Sequence, residues 1–205
     1  MKKNLVLLAA LFSAAALAAA DEAPRVLIRT ELGDILLEVY PGKAPITAAN
    51  FLRYVDAGRY DGALFHRTVT LANQPNDRVR IEVIQGGLLP AEESFPAIAH
   101  ETTETTGLRH RDGTVSMARS SPGSATSSFF ICIHDQPELD FGGTRNPDGQ
   151  GFAAFGQVVS GMEVVRLIHE RPAEGQVLRP PVKIISVARI GAARSAAATA
   201  MKTHR

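Results

Sequence analysis

Short-period alternation restricts this chain's fold more than any other feature. Arg25–Thr30 and Asp34–Tyr40 alternate polar and apolar residues at period two, and Glu31-Leu32-Gly33 links them as a β-hairpin. Similar short runs recur at Ala63–Val69, Ile81–Gln85 (closed by Gly86-Gly87), Thr114–Ala118, Ser128–Ile133, Ala153–Val159 and, after Pro180-Pro181, Val182–Ile190. Helical spacing occurs twice. Ala48, Phe51, Tyr54 and Val55 form one apolar stripe between Pro45 and Gly58, and Met162, Val165 and Ile168 form a second that Pro172 stops. Strands outnumber helices and no βαβ alternation repeats. The expected fold is therefore mainly β: a closed eight-stranded antiparallel barrel capped by two α-helices, because closure removes exposed sheet edges. Leu71–Arg78 and Asp140–Gly151 read as polar loops, and Leu88–Asp112 as a long surface connection.

The first twenty residues have another character. Met1-Lys2-Lys3 is basic, Leu5–Leu17 is apolar, and Ala18-Ala19-Ala20 precedes Asp21-Glu22. These are the parts of a secretory signal peptide cleaved after Ala20. As a helix the uncharged run spans about 25 Å, short of a hydrocarbon core of about 30 Å, so a retained anchor fits less well. Cleavage removes Lys2 and Lys3 and turns the formal charge from +1 to −1. The expected division is a signal peptide at 1–20, one domain at 21–190 and a flexible Ala-rich tail at 191–205. The short signal points to the periplasm, with secretion as the alternative, and no membrane contact after cleavage. The lone Cys132 has no intramolecular partner to mispair with there, and its apolar surroundings read as core.

Composition and motifs exclude several kinds of chemistry. Balanced charge, 22 Lys+Arg against 21 Asp+Glu, offers no cationic surplus for nucleic acid. The six histidines (66, 100, 110, 134, 169 and 204) form no HExxH pattern, and Asp140, Asn146, Asp148 and Gly149 miss the EF-hand spacing, so no metal is expected. Ser127, Ser128, His134 and Asp135 lie close in sequence, yet no G-x-S-x-G elbow presents a nucleophile. Gly86-Gly87 and Gly142-Gly143 lack a phosphate-binding context. What stands out is an arginine and a glutamine on two strands that are otherwise largely apolar, in Phe65-His66-Arg67 and Val83-Ile84-Gln85-Gly86-Gly87.

These segments resemble the cyclophilins, a family of peptidyl-prolyl isomerases. The likeness runs in order from about Val26 to Ile190. It includes Ala44-Pro45-x-Thr47-x-x-Asn50-Phe51, Tyr60-x-Gly62-x-x-Phe65-His66-Arg67, Ile84-Gln85-Gly86-Gly87, Gly113-x-x-Ser116-Met117-Ala118, Ser128-Phe129-Phe130-Ile131, Leu139-Asp140 and Phe155-Gly156-x-Val158. The resemblance implies catalysis of rotation about Xaa-Pro bonds by Arg67 and Gln85, without cofactor, metal or covalent step. It implies substrate contacts from Phe65, His66, Val83, Ala118, Arg119, Phe130, Leu139 and Phe152, with proline-containing polypeptides as partners and a monomeric enzyme that assists folding of exported proteins. The alternative is a proline-peptide binding module with little catalysis. Several positions depart from the family pattern. About ten extra residues separate Arg67 from Gln85, Glu82 stands at a usual pocket phenylalanine, Val83 at a methionine, and Phe152 at a histidine. Glu138 lies where some members carry tryptophan, a residue this chain lacks. The loops Leu71–Arg78 and Asp140–Gly151 are expected to border the peptide groove.

Overall fold

The computed structural model describes residues 23–89 and 94–190; the export segment and the tail expected from the sequence lie outside them. Nine strands appear in the order β1 (Arg25–Thr30), β2 (Gly33–Val39), β3 (Leu64–Val69), β4 (Val83–Gly87), β5 (Thr114–Met117), β6 (Phe129–Cys132), β7 (Ala153–Ser160), β8 (Ala173–Glu174) and β9 (Val177–Ile190). The sheet runs β1-β2-β7-β5-β6-β4-β3-β9, and β1 pairs with β9 to close it. Every pairing is antiparallel. The eight-stranded barrel expected from the alternation is therefore present, and the two-residue β8 is an addition hairpinned onto β9.

Three helices accompany the barrel: α1 (Pro45–Asp56), the single-turn α2 (Thr103–Thr106) and α3 (Met162–His169). The apolar stripe of α1 sends Phe51 into an aromatic cluster, with ring centroids 4.9 Å from Phe155, 5.4 Å from Tyr60 and 5.6 Å from Phe129. Full burial of each such ring contributes roughly 1.5–3 kcal/mol. Val164, Val165 and Ile168 of α3 join the same core.

Two expectations need correction. The segment 88–112 is not merely a surface connection. Glu101 is buried, accepts from the backbone N–H groups of Ile46 (3.1 Å) and Thr47 (2.7 Å), and accepts from the Thr47 hydroxyl at 2.6 Å. Ala44, the N-cap position of α1, has no capping side chain, so a distant carboxylate takes that role. The last strand also begins before the proline pair rather than after it. β9 starts at Val177, and its pairing with β3 jumps from Val177↔Arg67 to Val182↔Phe65. Pro180 and Pro181 lie in that gap, where no ladder N–H is required.

Candidate active site

Strand register decides which side chains reach the outer face of the barrel. On β4 and β6 the alternation is regular. Ile84, Phe129 and Ile131 point into the main core, while Val83, Phe130 and Cys132 join a second apolar cluster with Val69, Ile81 and Leu139. On β3 the register slips. Phe65 pairs with Gly86 and Arg67 with Gln85, so His66 is the extra residue of a β-bulge. Without the bulge, Phe65 and Arg67 would face the same side. With it, Phe65 is fully buried against Phe129 while Arg67 turns outward beside Gln85. Gly86 permits this arrangement, because a Cβ there would meet the Phe65 ring at 2.8 Å.

Arg67, Gln85, Val83, Ala118, Arg119, Phe130, Leu139 and Phe152 all line one open cleft of 380 Å³. Phe65 and His66, expected at the substrate, do not line it. Phe65 belongs to the core, and His66 is a half-buried bulge residue whose Nδ1 has no hydrogen-bond partner. Burial, opposed in part by a Leu64 backbone contact and aided by the nearby Arg67 charge, holds His66 below its ordinary pKa.

Arg67 is clamped by two neutral amides. Its Nη1 donates to Gln85 Oε1 at 2.8 Å, and Nε and Nη2 donate to Gln176 Oε1 at 3.0 and 2.5 Å. A guanidinium has five N–H bonds, so two remain for a ligand. Burial lowers its pKa, and the positive charge of Arg145 adds to that; a guanidinium nevertheless stays charged. No carboxylate pairs with Arg67 among the described residues. Gln176 escaped the sequence reading because it sits in the β8–β9 turn, which carries no periodicity. That turn is held by Thr68 N–H to Gln176 O (3.0 Å) and by Asn73 Nδ2 to Gly175 O (3.0 Å).

Beside Arg67 lies the apolar end of the cleft. Phe130 meets Phe152 edge-on, with centroids 5.3 Å apart, and Leu139 reaches it from a short 3₁₀ turn, 137–139. Ile81 also lines this end, although the sequence singled out its neighbour. Glu82 lines nothing here; its carboxylate lies 3.1 Å from His134 Nδ1. Arg119 stacks over Phe152 at 5.1 Å and is fixed by Asp148, at 2.8 and 2.9 Å, and by the Gly151 carbonyl. This contact pulls the Asp148 carboxyl down to about 2. Glu138 turns away to accept from the Thr144 backbone and hydroxyl.

Behind Phe130, His110 stacks at 5.9 Å and links Asp140 (2.8 Å from Nδ1) to Ser116 Oγ (3.0 Å from Nε2). Such a Ser-His-Asp line resembles a hydrolase triad, yet Ser116 is wholly buried, so the line is a prop for the cleft wall. The residues weighed above for a hydrolase, Ser127, Ser128, His134 and Asp135, do not gather: His134 faces Glu82, and Asp135 accepts from the Asp112 N–H. No group of three or more potential metal ligands occurs among the described residues.

Residues 25–189 match the family model described as cyclophilin type peptidyl-prolyl cis-trans isomerase. A peptidyl-prolyl cis-trans isomerase of Acinetobacter baylyi is 39% identical, covering 79% of this chain and 83% of the relative. Peptidyl-prolyl cis-trans isomerase B of Escherichia coli is 34% identical over 68% and 80% of the two chains. Among solved structures, a Cryptosporidium parvum cyclophilin-type isomerase superposes with a TM-score of 0.66 at 21% identity, over 82% of this chain and 98% of that one. The same parasite protein was crystallised in the presence of the dipeptide Ala-Pro. By the family match and these relatives, the chain belongs to the cyclophilin-type peptidyl-prolyl cis-trans isomerase family.

Proposed function

We propose that this isomerase works through Arg67, with Gln85 and Gln176 as positioning residues, on proline-containing segments of exported proteins. The observation that carries the reading is a guanidinium with no carboxylate partner among the described residues, held by two neutral amides, beside an apolar hollow. A prolyl peptide bond resists rotation because its nitrogen lone pair is delocalised into the carbonyl, giving a barrier of ~18–20 kcal/mol. As the bond twists, the lone pair localises on nitrogen and becomes a hydrogen-bond acceptor. A donor aimed there binds the twisted state better than either planar one, which is the condition for catalysis. Raising the uncatalysed ~0.01–0.1 s⁻¹ to ~10³ s⁻¹ takes about 5.5–7 kcal/mol. One preorganised donor supplies about 3–4 kcal/mol. The remainder falls to Val83, Phe130, Leu139 and Phe152, which grip the ring while the preceding carbonyl turns. The test is cis–trans exchange of a short Xaa-Pro peptide by NMR, with and without the Arg67 side chain. The binding-module alternative rested on Glu82 spoiling the pocket. With Glu82 directed at His134 and Ile81 lining the cleft, no observation favours that reading.

Gln176→Ala is expected to lower kcat about tenfold with little change in KM, since it loosens Arg67 without removing a wall of the cleft. In an Arg67→Ala background the same change should cost nothing more. An equal loss in both backgrounds would assign Gln176 a purely structural part.

The localisation proposed is the periplasm, reached through the cleavable segment 1–20, where the enzyme assists folding as a monomer. The closed sheet supports the monomer, because β8 adds only two exposed residues at an edge. Among the described residues no helix is long and apolar enough to cross a membrane. Expression of the full chain in a Gram-negative host, then fractionation and N-terminal sequencing, should return a periplasmic product beginning at Asp21. A product retaining Met1 in the cytoplasm would overturn the export proposal.

A further inference from the structure

The loop before β4 and the loop after Leu139 meet at the cleft, and Arg145 joins them. Its Nη1 donates to Asp77 Oδ2 at 3.0 Å and to the Val79 carbonyl at 2.6 Å. These bonds occupy both Nη1 hydrogens, while Nε and Nη2 engage nothing among the described residues. Arg145 lines the main cleft and also a second hollow of 300 Å³ beside Asp77, Val79 and Thr144. Its neighbour Asn146 also lines the main cleft, and Asn146 Nδ2 is buried without an acceptor. A buried amide donor left unpaired is costly, so a ligand acceptor at this point would be favoured.

The charge balance agrees. Three guanidiniums, of Arg67, Arg119 and Arg145, line the cleft, and no carboxylate does. Asp148 engages Arg119 through both oxygens, whereas Asp77 reaches Arg145 through one and is itself 42% exposed. Arg67 is held only by neutral amides. The walls therefore present a positive field and three vacant N–H donors on Arg145 beside two on Asn146 Nδ2.

We propose that Arg145 and Asn146 form a subsite for an acidic side chain, so that the enzyme favours prolyl segments carrying Asp or Glu close to the proline. The proposal rests on the reading of the cleft as the prolyl-peptide site. A carboxylate fits the planar fork of Arg145, and its second oxygen can accept from Asn146 Nδ2.

The test is a set of peptides with a fixed Ala-Pro centre, in which one Glu or its isostere Gln is moved through the flanking positions and exchange is followed by NMR. At one position the Glu peptide should exceed its Gln counterpart by about fivefold in kcat/KM, and the ratio should shrink in about 0.5 M salt. Arg145→Gln and Asn146→Asp should each bring that ratio to about one. Asp77→Asn removes the ion pair between the loops, leaves the Val79 carbonyl bond and keeps the guanidinium, and should preserve or raise the ratio. A ratio of one at every position overturns the proposal, as does a ratio that survives Arg145→Gln. Equal loss in Asp77→Asn would reduce Arg145 to a staple between loops. Absence of exchange on every peptide, the neutral ones included, would instead overturn the reading of the cleft, and the subsite with it.

Discussion

Arg67→Ala is expected to slow catalysed exchange of an Xaa-Pro peptide by two to three orders of magnitude, about 3–4 kcal/mol of lost transition-state stabilisation. The barrel should survive, because Arg67 lies outside both apolar clusters. Arg67→Lys should recover little. An ammonium on a flexible stem cannot satisfy Gln85 and Gln176 together and still direct a donor at the prolyl nitrogen, which the planar fork does. Peptide binding should persist in both variants, since Val83, Phe130 and Leu139 are untouched, so the loss should fall on kcat rather than KM. Activity within threefold of wild type in Arg67→Ala would move the chemistry to another group. Circular dichroism alongside the exchange measurement separates that outcome from unfolding.

The fold was legible where local pattern and burial agree. Alternation in 25–40 marks β1 and β2, and the stripe of Ala48, Phe51, Tyr54 and Val55 marks the buried face of α1. Most cleft residues were named from ordered resemblance, because motif positions carry across related barrels. What escaped has particular causes. The bulge at His66 breaks the period-two rule at the one place where it matters for Phe65 and Arg67, and a bulge leaves no mark in hydrophobic alternation. Gln176 was hidden because it lies in the turn between β8 and β9, which leaves no periodic mark, and the start of β9 was obscured because Pro180-Pro181 looks like a strand boundary. Glu101 caps a helix 54 residues upstream, and Ile81 lines the wall where the resemblance placed Glu82. Each is a long-range contact, and single-sequence periodicity reports only neighbours along the chain. His110 and Asp140 are the clearest case: six histidines offered no metal pattern, and the one that matters to the cleft is a buried hydrogen-bond relay.

That relay makes the second large effect calculable. Asp140 accepts from the His110 backbone N–H at 3.0 Å and from ring Nδ1 at 2.8 Å, so Nδ1 carries the proton and Nε2 accepts from Ser116. Asp140→Ala leaves both His110 donors buried without a partner, at roughly 1–3 kcal/mol each, and should destabilise the fold by about 3 kcal/mol in urea unfolding. It should also reduce exchange activity, because His110 supports Phe130 from behind. The same pair sets a pH dependence. Burial holds His110 below its ordinary 6.5, with the Asp140 contacts only partly opposing it. For Asp140, burial pushes upward, but the His110 side-chain and backbone bonds prevail and hold the carboxyl below 3.8. Both folded groups resist protonation more than their unfolded counterparts. Their contribution is therefore complete above pH 6.5, falls as His110 is forced to charge below that value, and falls again as pH drops through the folded Asp140 range. His110→Gln keeps a polar bridge but removes the imidazole, so the decline in unfolding free energy between pH 7 and 5 should become shallower. It should not vanish, because His66 is shifted in the same direction. A variant with an unchanged slope over that interval would mean that His110 is not the group resisting the proton, and that the acid sensitivity of the fold resides elsewhere.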